Sequence, residues 1–343
     1  MPRVDPITSV HKVLRAVIRR DGRYVAAGGA LLTAAVFLLA VLLFAAVLLA
    51  CGGAPAAVES PSPAVSLSPT VSPPVSSPAS PDSGAAAAGL RRLFAHEDAG
   101  PLDLRLGDTR TVAGAAVRDV TYVGSGAKVT GVLSVPAGDG PHPAVLYAPG
   151  VGCPAAMFES DMAAMQRAGV AALAIDPPDG RAPFVEPVSL DPETVAAAHV
   201  QYVGDLRRGL DVLASLPEVD RERLGYVGYS WGGYVGGFLA GLRAPVTAYV
   251  LTYAGADWVG AEPTLAGEPV DPAAAIRLSR DASFLFQAGV ADPLFSRSSV
   301  RRYYESAPGL KALQWFPGGH GDLWAEPSGA AIESHRDWLK KNL

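Results

Sequence analysis

The sequence predicts an α/β protein whose mainly parallel sheet carries helices on both faces, preceded by one transmembrane helix and a disordered linker. Three observations lead there. Short apolar runs alternate with helical segments from about residue 144 to residue 341, the rhythm of strand–helix units in a parallel sheet. The 343 residues are 49% hydrophobic and 18% charged, with a formal net charge of −5, which excludes disorder throughout. An uncharged apolar run and then a Pro/Ser-rich stretch stand in front of the alternating region. Two cysteines cannot build a disulfide scaffold in a chain this long. With 28 Lys and Arg against 33 Asp and Glu, nucleic acid loses its main attraction, so no nucleic-acid partner is expected.

Residues 1–24 carry Arg3, Lys12, Arg15, Arg19, Arg20 and Arg23 against Asp5 and Asp21. From Tyr24 to Val58 no side chain is charged, and Val25–Ala50 is nearly all Ala, Leu, Val and Phe. As a helix this run is roughly 39 Å long, enough to cross a hydrocarbon core of about 30 Å with some tilt. The basic flank should stay cytoplasmic, which places everything after residue 51 outside. Three readings share that outcome. The run is an uncleaved signal anchor, or Leu48-Leu49-Ala50-Cys51-Gly52 is a lipoprotein cleavage site that lipidates Cys51, or the segment is a secretory signal. A cleaved signal has a shorter apolar core than this one. Residues 54–89 then hold eight Pro and nine Ser, a composition that favours extended polyproline II and reads as a tether within a 51–89 linker.

The remainder, 90–343, suits one large domain. Six basic and four acidic residues precede it, leaving 22 against 29, a mild excess that says little about partners. A short leader around Leu90–His96 comes first. Val117–Val123 and Lys128–Val135, separated by Gly124-Ser125-Gly126, read as an antiparallel hairpin. The alternation follows: strand Ala144–Ala148, helix near Ala155–Ala168, strand Val170–Ile175, helix Val195–Leu216, strand Leu224–Tyr229 and helix Trp231–Leu242. It ends with strand Thr247–Thr252, helix Pro272–Arg280, strand Ser283–Ala288, helix Ser296–Ser306, strand Lys311–Phe316 and a helix near Ser328–Lys341. Ligands of such sheets bind at the carboxyl ends of the strands.

One junction carries chemistry. Gly228-Tyr229-Ser230-Trp231-Gly232 lies between a strand and a helix, the context in which Gly-x-Ser-x-Gly forms a sharp elbow. Gly228 and Gly232 leave room for the turn, the Ser230 hydroxyl projects, and the Trp231 N–H faces any negative charge that develops beside it. Otherwise Ser230 would only cap a helix. A serine hydroxyl is a weak nucleophile near neutral pH and needs a base. The expected chain order, acid and then histidine after later strands, is met by Asp292 in Ala291-Asp292-Pro293 and by His320 in Gly319-His320-Gly321. Asp257 is the reserve acid, ahead of Asp176. His199 and His335 fall on helices, where packing is the default role. A second oxyanion donor is expected from Pro149-Gly150-Val151-Gly152-Cys153, with Val151 ahead of Gly152. Cys153 lacks a CxxC partner and reads as a small buried residue.

These residues resemble the α/β-hydrolases, in particular the branch of dienelactone-hydrolase-like and acetyl-esterase-like proteins near the prolyl oligopeptidase catalytic domain. The resemblance spans about residues 95–343. It rests on the elbow, on Pro136 and Pro143 framing a strand, and on Asp205-Leu206-Arg207-Arg208-Gly209-Leu210-Asp211 before Leu216-Pro217. Pro149-Gly150 stands where the family often has His-Gly, and Ser230 stands where dienelactone hydrolases proper carry cysteine. The resemblance implies a serine esterase acting on small-molecule esters with no cofactor and no metal; joined to the front segment read above, this gives a membrane-tethered, extracytoplasmic enzyme. Rival readings are a peptidase of the prolyl-oligopeptidase type, without its gating propeller, and an inactive tethered binding module. The loops Pro177–Thr194 and Gly255–Pro272 should border the pocket, with Trp258 and Phe184 as candidate walls.

Overall fold

The computed structural model describes residues 70–72, 83–94, 100–181, 184–259, 262–265, 267–321 and 329–343. The basic segment, the apolar run Val25–Ala50, Cys51 and most of the linker lie outside the described residues. Among the described residues no helix is long and apolar enough to cross a membrane.

In chain order the strands are β1 (Thr70–Ser72), β2 (Arg105–Val112), β3 (Ala115–Val123), β4 (Lys128–Ser134), β5 (His142–Ala148) and β6 (Ala171–Ile175). They continue as β7 (Val219–Tyr229), β8 (Ala248–Thr252), β9 (Thr264–Leu265), β10 (Glu268–Pro269), β11 (Ser283–Gly289) and β12 (Lys311–Phe316). The α-helices are α1 (Ser83–Leu93), α2 (Glu159–Arg167), α3 (Pro192–Ser215), α4 (Trp231–Gly241), α5 (Pro272–Ile276), α6 (Arg297–Ser306) and α7 (Ala330–Asn342).

Ten strands form one sheet in the order β1-β12-β11-β8-β7-β5-β6-β4-β3-β2, and β9 and β10 make a separate small ribbon. From β12 to β6 the neighbours run parallel, while β4, β3, β2 and β1 pair antiparallel. Successive strand residues serve opposite faces. On β5, Ala144, Leu146 and Ala148 join the core under α3 and α4, while Val145 and Tyr147 join the core under α2 and α7. All four of these central helices thus find an apolar face, which explains why the parallel strands are apolar throughout.

Topology fixes where a site can form. After β5 the chain crosses to β6 on one side, returns to β7 on the other, and then moves outward to β8 and β11. The connections leaving β5 and β7 therefore diverge, opening a crevice at their carboxyl ends.

Four differences from the sequence reading have physical causes. The sequence reading assigns no element to Arg105–Val112, which forms β2. It is an edge strand of Arg-Leu-Gly-Asp-Thr-Arg-Thr-Val that is mostly exposed, so it lacks the apolar alternation that marks a strand and carries charges that protect an edge. The range read as linker is not structureless throughout. Thr70–Ser72 pairs with the outer edge of β12, where the unpaired N–H and C=O groups of an edge strand accept another strand. Within the Ala-rich end of the same range, α1 begins at Ser83, and Leu90 and Phe94 enter the core, Phe94 lying 4.8 Å from the Phe238 ring. Lastly, α5 stops at Ile276. There Leu278 and Ser279 donate to carbonyls three residues back, tightening the last turn before Asp281 takes φ +58°.

Candidate active site

The elbow is built by close approach. Ser230 has φ +53° and ψ −112°, a strained backbone that persists only where its surroundings hold it. Ser230 N–H donates to Thr252 O at 2.8 Å and Gly232 N–H to Pro149 O at 3.1 Å, which ties the turn to the ends of β8 and β5. A Cβ on Gly228 would stand 2.5 Å from the Gly232 carbonyl carbon. A Cβ on Gly150 would stand 2.9 Å from the Cβ of Ser230. Side chains at these two positions would force the strand and the neighbouring loop away from Ser230.

The structure brings Ser230, His320 and Asp292 together. His320 Nε2 lies 2.9 Å from Ser230 Oγ, and its Nδ1 lies 2.9 Å from Asp292 Oδ2. An ionised Asp292 accepts from Nδ1–H, leaving Nε2 as acceptor for the serine proton. Asp292 is itself held by the N–H groups of Leu294 (2.8 Å) and Phe295 (3.1 Å), which donate to Oδ1. The side chains of His320 and Asp292 are 3% and 1% exposed. Rings of Tyr253 and Phe295 lie 5.0 and 5.9 Å from the imidazole, so the pair works in a poorly hydrated setting.

The other acids are engaged elsewhere. Asp257 pairs with Arg302 at 2.8 Å and is 64% exposed. Asp176 accepts from Ala155 N–H at 2.7 Å and from Thr130 Oγ1 at 2.5 Å. His335 serves a buried cluster with Asp161 and Arg336.

In the loop after β5, Gly152 N–H donates to Asp179 Oδ2 at 2.7 Å. Among the described residues the N–H groups of Val151 and Trp231 donate to no protein acceptor. Two amides flanking Ser230 are thus available while the Gly152 amide is committed. Asp179 was not foreseen; burial pushes its carboxyl up to about 6 against the lowering effect of the Gly152 N–H.

Cys153 is buried, as its reading as a small buried residue expects, and it is also disulfide-bonded, which removes any thiol chemistry at this loop. Trp258 packs inward, 4.7 Å from His199 and 6.5 Å from Phe295, and its indole N–H donates to Pro187 O at 2.9 Å, pinning the loop before α3. Phe184, on that loop, is 67% exposed.

A serine at a strand–elbow–helix turn, an aspartate after β11 and a histidine after β12 surround the switch point of a mainly parallel sheet. The acetyl xylan esterase 1 of a Thermoanaerobacterium species superposes with TM-score 0.59 at 17% identity, covering 77% of this chain and 94% of that one. The chain has the α/β-hydrolase fold. An acetyl xylan esterase from a Paenibacillus species superposes on this chain with TM-score 0.57 at 18% identity, covering 77% and 95%. A cold-adapted esterase from an Arctic intertidal metagenomic library does so with TM-score 0.56 at 18% identity, covering 69% and 98%. Residues 107–254 of the chain, less than half of it, match the family described as FrsA-like esterases. No curated protein matches the chain.

Proposed function

We propose that this chain is a serine hydrolase of carboxylic esters, tethered to a membrane with its catalytic domain on the extracytoplasmic side. One observation carries the chemistry: the Ser230 hydroxyl, the His320 imidazole and the Asp292 carboxylate form a continuous hydrogen-bonded row beside two uncommitted amides. Ser230 Oγ attacks the ester carbonyl as His320 Nε2 takes its proton. The Val151 and Trp231 N–H groups receive the oxyanion. The imidazolium, stabilised by Asp292, then protonates the leaving alkoxide. Water, activated by the same imidazole, releases the acid from the acyl-enzyme and restores Ser230.

The esterase names among the structural relatives support ester over amide substrates, and acetyl esters are the first to try. The tether rests on the uncharged run Val25–Ala50 and its basic flank. The disulfide at Cys153 supports an oxidising compartment. Turnover of nitrophenyl acetate by the wild type, abolished in Ser230→Ala, is the expected result; equal turnover by the two would remove Ser230 from its role.

A further inference from the structure

We propose that α3 acts as a clamp on the oxyanion hole, with His199 as a positioning residue that holds Trp231 through its indole. The inference deepens the esterase reading and rests on it. Trp231 immediately follows the nucleophile, and its backbone N–H is one of the two oxyanion donors. Its side chain is fully buried, and Nε1–H donates to His199 Nδ1 at 2.9 Å. An indole anchored at its far end cannot pivot without breaking that bond, so the first peptide of α4 keeps its direction. Three residues further along α3, on the same helix face, Tyr202 packs on the Trp231 ring at 4.7 Å. Its hydroxyl donates to Pro149 O at 3.1 Å, the carbonyl two residues before the Val151 amide. One helix face therefore grips both halves of the hole.

The histidine suits this task and not proton transfer. Because Nδ1 accepts, the ring proton resides on Nε2, which is buried and without a hydrogen-bond partner among the described residues. Burial lowers the His199 pKa to about 3, so the ring stays neutral and keeps its acceptor. Aromatic rings at van der Waals range, Tyr234 at 5.0 Å and Trp258 at 4.7 Å, would satisfy a phenylalanine as well as an imidazole. A purely packing role would not call for an acceptor aimed at the indole.

The test compares wild type, His199→Phe, His199→Asn, Trp231→Phe and Ser230→Ala with nitrophenyl acetate and with a boronic acid that mimics the tetrahedral state. Removing a whole oxyanion donor costs about 10²–10³ in kcat, so loosening one should cost roughly 10-fold. The expected result for His199→Phe is that loss in kcat, a parallel weakening of boronate binding and an almost unchanged KM. His199→Asn, which keeps an acceptor near the Nδ1 position, should restore most of the rate. Wild-type kcat in His199→Phe, or a rise in KM in place of the fall in kcat, overturns the clamp. If His199→Phe does not fold, Trp231→Phe removes the same hydrogen bond from its donor side, and full kcat there overturns it equally. Ser230→Ala separates the two levels. If it is inactive while His199→Phe is unimpaired, only the clamp fails; if it turns over ester like the wild type, the esterase reading fails.

Discussion

Replacing Asp179 by asparagine changes one buried charge next to the oxyanion loop, and its effect on stability follows from linkage. Burial disfavours the carboxylate, lifting the group from 3.8 to about 6. The folded chain therefore holds this proton more tightly than the unfolded chain does. Stability from this group is fully present below the unfolded value and is lost as pH rises through about 6. The shift corresponds to about 3 kcal/mol between the acid and neutral limits, of which roughly 2 kcal/mol falls between pH of about 4.5 and about 7.5. The replacement amide can still accept from the Gly152 N–H but cannot ionise. Urea midpoints of wild type and Asp179→Asn at those two pH values give the quantity directly, because effects that do not depend on pH cancel in the difference. The variant should gain on the wild type by about 2 kcal/mol as pH rises. A gap that stays constant, or moves toward the wild type, would show that Asp179 ionises freely in the fold and is not desolvated against Gly152.

Three further outcomes are expected. Asp161 accepts from Tyr147, His335 and Arg336 on the opposite face of the sheet; against the opposing effect of burial, these partners lower its pKa to about 2. Asp161→Ala should cost about 3–5 kcal/mol by stranding those partners, and wild-type stability should decline as pH falls from about 4 toward 2; thermal melts across that range check both. Peptide mapping without reductant should find Cys153 in a disulfide; a free Cys153 thiol would remove the argument for an oxidising compartment. His320→Ala should lower ester turnover at least about 10³-fold at unchanged folding by circular dichroism; near-normal rates would take His320 out of the mechanism.

How much was legible depended on whether the signal was local. Gly228-Tyr229-Ser230-Trp231-Gly232 could be read because strand, turn and helix signals adjoin it, and Asp292 and His320 could be picked because each follows an apolar strand directly. All three side chains meet in the structure. The charged edge strand β2 and the three-residue β1 could not be read, since their pairing partners, not their own patterns, make them strands. Asp179 and Gly152 are far apart in sequence, and only the tertiary meeting of two loops gives that aspartate its task. The same holds for Cys153, whose bond no spacing rule announces. His199 was read as packing, the default for a helix histidine, because nothing near it in sequence points to Trp231. Segments before residue 70 lie outside the described residues, and the anchor remains a proposal from composition.

The central claim is that Ser230 is an activated nucleophile held by His320. Intact-mass analysis after exposure to a fluorophosphonate probe tests this most directly. A single adduct that maps to Ser230, forming on the wild type and absent from Ser230→Ala and His320→Ala, is the expected result. A folded wild type that takes up no probe, or an adduct on another residue, would contradict it.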